Sequence, residues 1–289
     1  MPSGSMTIAR MLLACAVCGL VSCARDAALR VHFIDVGYGD AILLHDGAGH
    51  AILIDGGSGA HEDDHGRRTV LPYLHTLGIT QLDAVICTHS HPDHAGGLVD
   101  VVRTLPVLQF IRPAWRVTNV YTVALDELCA ARGVPVSHAA RGDTWRWGAL
   151  TLAAVHPPHG GADIEAPPVD LNATSLALDV QYGLARALLL ADITAPVLAE
   201  LHGLQLLPRA ALLKIPHHGL ADAFDMERLA AIAPRHAVLT IGPNPYGAPA
   251  PAVVAAYEQL CILWRTDRDG TIIAELTARG ALAVVPWSR

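Results

Sequence analysis

Lysine is almost missing from this chain of 289 residues: Lys214 stands alone beside 19 scattered arginines, and the net charge is −7. Nucleic-acid surfaces need clustered cations to displace the counterions of the phosphate backbone, so no extended surface of that kind is evident here. Any such contact is confined to a cleft. GxGxxG and GxxxxGK[ST] are both absent, which removes the usual nucleotide-binding signatures. After the N-terminal segment no uncharged apolar run reaches the roughly 20 residues needed to cross a bilayer. No internal repeat and no low-complexity tail is visible. Cysteine is sparse, and Cys15, Cys18 and Cys23 fall in the N-terminal segment, leaving Cys87, Cys129 and Cys261. Cys87 sits in an apolar strand pattern and reads as a small buried hydrophobe, while a Cys129–Cys261 disulfide stays open.

What is present starts with an apolar run at 11–21 behind the lone Arg10, which reads as an export signal and is too short to span a membrane. Leu20-Val21-Ser22-Cys23 resembles a bacterial lipobox, so cleavage before Cys23 and lipid attachment to its thiol are expected; the alternative is an ordinary secretory signal cut slightly later. The expected organisation is a signal at 1–22, a linker at 23–29 and one domain over 30–289. The protein is then an exported envelope lipoprotein whose only membrane attachment is the lipid at Cys23.

Within the domain, runs at 30–35, 41–45 and 50–55 read as a strand meander joined by glycine turns. Further on, strands are expected at 83–88, 107–112, 149–155, 175–181, 185–191, 211–215, 236–241, 271–276 and 281–286. Helical patterns at 68–77, 97–104, 121–132, 194–203, 224–232 and 250–260 alternate with them. This mixture predicts an α/β sandwich rather than a bundle. The stretches 56–67 and 157–171 read as long surface loops, and the polar run at 61–65 as a solvated rim.

Directly after an apolar strand pattern, residues 88–94 read Thr-His-Ser-His-Pro-Asp-His, placing His89, His91, Asp93 and His94 at metal-ligand spacing. Imidazole and carboxylate donors suit zinc, with manganese or iron compatible with the same set. Asp192 ends the apolar run 187–191, where a carboxylate is costly unless it is paired or bound to a cation; its competing role is a helix cap. His217 and His218 follow the strand pattern 211–216. Adjacent side chains after a strand diverge, so one can hold metal while the other faces substrate.

IDVGYGDA (34–41), LIDGG (53–57), THSHPDHAGGL (88–98), NATSLAL (172–178), LLLADI (188–193), LKIPHHG (213–219), NPYG (244–247) and RTDRDGTI (265–272) together resemble the metallo-β-lactamase superfamily. The chain is most similar there to the hydrolase domain of ComEC-type competence proteins and their free-standing secreted relatives. The resemblance implies a four-layer αββα sandwich, a single domain, with two divalent ions, zinc or manganese, at the sheet edge. It places His89 and His91 on the first ion, Asp93, His94 and His218 on the second, and Asp192 between them. Asp93, Asp192 and His217 are the expected catalytic residues, and Lys214, Asn172, Ser175 and Tyr246 the expected substrate contacts. Lys214 could instead pair with a buried carboxylate, and Asp35 and Asp55 either orient ligands or cap glycine turns.

Two departures from the family pattern stand out. Asn172 and Ser175 occupy the region where many members supply a third histidine to the first metal, a place His156 or His159 could fill. Ala248 follows Tyr246-Gly247 where the subgroup often has histidine. Two ions about 3.5 to 4 Å apart acidify a bridging water and clamp the attacking and leaving oxygens. The expected activity is therefore hydrolysis of a small or polymeric phosphoester, foremost a phosphodiester, by a metal-bridging hydroxide. Alternatives are a lactam or lactone hydrolase of the same superfamily and a non-catalytic metal-binding envelope lipoprotein.

Overall fold

The structure, a computed structural model, describes residues 28–60, 63–115, 117–159 and 170–288. The expected signal, Cys23, His61, Glu62 and most of the 157–171 stretch lie outside the described residues.

The first half of the chain forms β1 (Ala28–Phe33), β2 (Ile42–Asp46), β3 (Ala51–Ile54), the short pair β4 (Gly59–Ala60) and β5 (Asp63–Asp64), β6 (Ala84–Ile86), β7 (Phe110–Pro113) and β8 (Val136–Ala139). The second half forms β9 (Thr144–Trp147), β10 (Leu150–His156), β11 (Ala177–Tyr182), β12 (Ala185–Leu189), β13 (Leu212–Lys214), β14 (His236–Leu239) and β15 (Ile262–Arg265), before β16 (Ile272–Thr277) and β17 (Leu282–Pro286). Eight strands pair as β17-β16-β1-β2-β3-β6-β7-β8, and seven as β15-β14-β13-β12-β11-β10-β9. β1 begins at Ala28, so the end of the expected linker already belongs to the sheet.

Side-chain alternation explains the layering. On β1, Leu29, Val31 and Phe33 point between the two sheets and meet Ala187 and Leu189 of β12 in one cluster. Leu43 and Leu53 face the other way, against α1 (Leu71–Thr76), α3 (Leu98–Thr104) and α4 (Val120–Arg132). Leu188 and Leu213 likewise face α5 (Ala195–Gly203), α6 (Met226–Ile232) and α7 (Pro251–Leu260). Both faces of each sheet are therefore covered, which is why the central strands read as continuous apolar runs. The result is the expected four-layer αββα sandwich.

Although no repeat shows in the sequence, the chain path repeats. Three antiparallel strands followed by three parallel additions describe β1-β2-β3-β6-β7-β8 and equally β10-β11-β12-β13-β14-β15. The ends of β3 and β12 are thus equivalent, as are the ends of β6 and β13, and these four ends carry Asp55, Asp192, His89 and His218. The strands not anticipated are β8, β9, β15 and the β4-β5 pair. Of these, β8, β9 and β15 are edge strands, half exposed, where the apolar signature fades.

The described residues of 56–67 are not the surface loop expected from their polarity. They include β4, β5 and the start of a π-helical turn, Gly66–Val70, and their backbone crosses that of Gly96 and Gly97 so closely that a Cβ on Gly59, Gly66, Gly96 or Gly97 would collide with main chain. Those glycines let the segment carrying Asp55 lie against the helix start that carries His94. The disulfide left open by the sequence does not form: Cys129 packs in the helical layer on the first sheet and Cys261 in that on the second. Cys87 is buried, as expected of a small hydrophobe.

Candidate metal centre

Beyond β6, the chain leaves the sheet through Cys87 and Thr88 and brings the His89 and His91 rings together, Nε2 of one 3.0 Å from Nδ1 of the other. His91 stays extended at the cap of the short helix α2 (Pro92–Ala95), whose first turn presents Asp93 and His94 to the same cleft. Asp55, just past β3, fixes this loop. Its carboxylate accepts the Thr88 N–H at 2.8 Å, the Thr88 hydroxyl at 2.6 Å and His94 Nδ1 at 2.8 Å. Asp35, by contrast, is exposed and accepts from the Gly37 N–H, so it caps a turn and orients no ligand.

The second half supplies the opposite wall. Asp192 Oδ2 lies 3.2 Å from His94 Nε2, 3.3 Å from His218 Nε2 and 3.9 Å from His89 Nε2, between the two groups of donors. The cap of α5 is Thr194, so Asp192 is not spent on the helix. His94 Nε2 and His218 Nε2 stand 3.2 Å apart, and Asp93 Oδ2 is 3.7 Å and 3.6 Å from them. His218 donates through Nδ1 to the Thr240 carbonyl at 2.8 Å, which leaves its Nε2 lone pair aimed inward. Asp55, Ala191, His217 and His218 all hold left-handed φ values between 47° and 57°, a conformation that costs a non-glycine residue on the order of 1 kcal/mol. Strain gathered at four positions around one point indicates backbone shaped for a site.

Electrostatics say what the point requires. Asp40, Asp55, Asp93 and Asp192 converge there, with Lys214 as the one lysine. Burial would lower His94, but Asp192, Asp93 and Asp55 hold it well above the usual imidazole range, so in the metal-free protein it keeps a proton among acceptors. Burial and His94 push His89 well below that range and His91 also down, leaving both neutral, as ligands must be. Asp192 would be raised by burial, yet His218, His94 and Lys214 keep it well below ordinary carboxylates. Burial raises Asp55, with His94 opposing. A bound metal ion would take the place of that proton. Among the described residues three groups are able to hold an ion, His89/His94/Asp192, Asp93/His94/His218 and Asp40/Asp55/His94; His91 belongs to none of them and stands beside His89.

Lys214 pairs with buried carboxylates and does not face substrate. Its ammonium is fully buried and donates to Asp40 Oδ2 at 2.6 Å, Asp192 Oδ1 at 3.2 Å and the Ala191 carbonyl at 2.9 Å. With all three protons committed it has none for substrate. Asp40, inside the DVGYGD motif, is the partner not assigned from sequence; burial would raise it, but Lys214, His94 and His218 hold it down, and Thr240 Oγ1 donates to it at 2.6 Å. Also unassigned were Tyr38, whose ring lies 4.5 Å from that of His218, and Asp222, 2.9 Å from His217 Nδ1. His217 turns away from His218, and the Asn172 amide lies 3.2 Å from its Nε2. Ser175 is wholly buried, its carbonyl accepting from His156 Nδ1 at 2.9 Å, and it offers substrate no exposed surface. His156 and exposed His159 belong to none of the metal-holding groups found among the described residues. Tyr246, 64% exposed, sits on the rim against Tyr38.

A sandwich of two sheets carrying paired His/Asp donors at matching strand ends is the metallo-β-lactamase fold. Residues 34–164 match the model of the metallo-β-lactamase superfamily, and the chain is similar to that superfamily. It is 28% identical over 274 residues to ComE operon protein 3 of Bacillus subtilis, covering 89% of this chain and 34% of that one. It is 29% identical over 215 residues to the protein YcaI of Escherichia coli, covering 71% of this chain and 25% of that one. The chain thus spans only 25% to 34% of the length of these relatives. Among solved structures, the metallo-β-lactamase fold protein YhfI from Bacillus subtilis shares the fold with a TM-score of 0.56 at 14% identity, covering 86% of this chain and 99% of that one.

Asp55→Asn is expected to weaken metal binding about 10- to 100-fold while leaving the fold intact, because an orienting carboxylate sets the tautomer and basicity of the histidine it holds. Calorimetric titration of the metal-free variant checks this; unchanged affinity would reduce Asp55 to a turn cap.

Proposed function

We propose that this chain is an exported two-metal phosphoesterase, foremost a phosphodiesterase. The observation that carries the reading is the position of Asp192 Oδ2 between His89 and the His94/His218 pair, with Asp93 completing a carboxylate-rich second site. Two divalent ions, zinc in the first instance, supply an acidified water and a clamp for phosphoryl oxygens. The residues of the chain do the rest. Asp192 and Asp93 set the spacing of the donor groups. His217, held through Nδ1 by Asp222 and accepting from the Asn172 amide at Nε2, stands fixed at the cleft edge beside the donor set. Burial, followed by Asp192 and Asp93, raises the Tyr38 hydroxyl so far that it keeps its proton and is available to donate to substrate. Asn172 in place of a third histidine leaves the first site more open, which together with the ComEC-type similarity favours phosphoester over lactam.

The export signal and Cys23 anchor are part of the same proposal. Palmitate labelling that is lost in Cys23→Ser supports the anchor, and no labelling removes it. Among the described residues no helix is long and apolar enough to cross a membrane. For the activity, the zinc-loaded protein is assayed on bis-p-nitrophenyl phosphate and nitrocefin, with Asp93→Ala as control. Metal-dependent phosphodiester turnover that the control lacks is expected. Faster nitrocefin turnover would reverse the ranking, and tight metal binding with no cleavage of either would make the protein a non-catalytic binder.

A further inference from the structure

A second concave feature adjoins the metal centre. Where β6 and β7 end, against the first turns of α4, there is a cavity of about 150 Å³ to which His89 contributes one wall. Ser90, lying between the ligands His89 and His91, is 4% exposed, and its Oγ is buried without a partner. Its backbone carbonyl accepts from the Asn119 amide, the cap of α4, at 2.7 Å, which fixes Ser90 at the cavity wall. Trp115 also lines the cavity; its buried Nε1–H likewise lacks a partner, and its ring stands edge-on to His156 at 5.7 Å. Native proteins seldom bury donors unpaired, so two lining one cavity call for a ligand that pairs them.

The rest of the lining narrows its chemistry. Pro113, Val117 and Val123 give the wall apolar faces beside the hydroxyls of Thr118, Thr122 and Thr174. Arg112 is not an anion trap, since its guanidinium contacts Asp126 at 2.8 Å and His138 at 3.2 Å. A cavity of about this size takes one benzene-sized ring and no more. We infer that it is a substrate subsite for an uncharged six-membered ring bearing carbonyl oxygens, of the pyrimidinedione kind, with Ser90 Oγ and Trp115 Nε1 donating to those oxygens. Because His89 is shared between the cavity and the donor set, the ring belongs to a substituent of the phosphoester. The inference rests on the hydrolase reading and makes it specific.

The test uses two p-nitrophenyl esters on the zinc-loaded protein, thymidine 5′-(p-nitrophenyl phosphate) and methyl p-nitrophenyl phosphate. Calorimetry with free thymidine runs in parallel. Ser90→Ala removes one donor with almost no change of shape, Trp115→Phe removes the other while keeping an aromatic ring, and melting curves show that they fold. Each is expected to raise KM for the thymidine ester, and Kd for thymidine, about tenfold, leaving kcat and both constants for the methyl ester within twofold. If neither ester is cleaved but thymidine binds and both variants weaken it, the subsite stands and the hydrolase reading fails. If both esters are cleaved with equal KM, or the variants alter neither KM nor thymidine binding, the subsite is overturned.

Discussion

Asp192→Asn is expected to lower kcat/KM on a phosphodiester by on the order of a thousandfold, roughly 4 kcal/mol of barrier, and to leave the protein with at most one tightly bound ion. The size of the effect follows from position. One oxygen, Oδ2, serves both halves of the donor set, and the other, Oδ1, receives the Lys214 ammonium. An amide at this point keeps the volume but surrenders the charge that allows His94, His218 and a cation to share the space. Metal content by mass spectrometry and steady-state kinetics read the two consequences separately. Full occupancy by two ions with undiminished turnover would remove Asp192 from the bridging position.

Lys214→Met should be as damaging to stability as Asp192→Asn is to activity. Removing the ammonium leaves Asp40 and Asp192 buried without their shared cation, a loss of about 3 to 5 kcal/mol for a broken buried pair. In a domain of this size that corresponds to a fall in Tm of about 10 °C. Adding Asp40→Asn should restore much of it, since one of the two stranded charges is gone. Excess zinc should also raise the Tm of the single variant, because a ligand of the native state stabilises it by mass action. A melting temperature within a degree or two of the parent would show that the buried pair is dispensable. The pH dependence has a definite sign. Asp40 and Asp192 are both held below ordinary carboxylate values, so the unfolded chain takes up protons first on acidification. Their contribution is complete above about pH 4 and is lost as the pH falls through their lower native values. Lys214 is raised by Asp40 and Asp192 against the opposing effect of burial, so its contribution is lost only in strong alkali.

What could be read in the sequence was whatever is local. The HxHxDH ligands sit within six positions, and Asp192 and His218 each end an apolar run, a place where a polar residue needs a reason. The four layers follow from strand and helix periodicity together with the family resemblance. What could not be read depends on contacts between distant segments. Lys214 neighbours the histidine pair in sequence and was therefore expected near substrate, but it lies on β13, in a strand buried on both faces, where its amine reaches inward to Asp40. Asp40 itself lay unassigned in DVGYGD because its partner is supplied by the other half of the molecule. The glycines at 56, 59, 96 and 97 gave no sign that two backbones cross there. Edge strands such as β9, whose Thr-Trp-Arg-Trp alternates toward solvent, lack the apolar density that reveals central ones.

The His/Asp donor set at the paired strand ends is expected to hold two divalent ions in place of the proton that His94 otherwise keeps. Isothermal titration of the metal-free protein with zinc, in two buffers of different ionisation enthalpy, measures stoichiometry and proton release together. Two ions per chain are predicted, with net proton release on binding and loss of at least one ion in Asp192→Asn. A stoichiometry below one, or two ions bound equally well by Asp192→Asn with no proton released, would contradict the account.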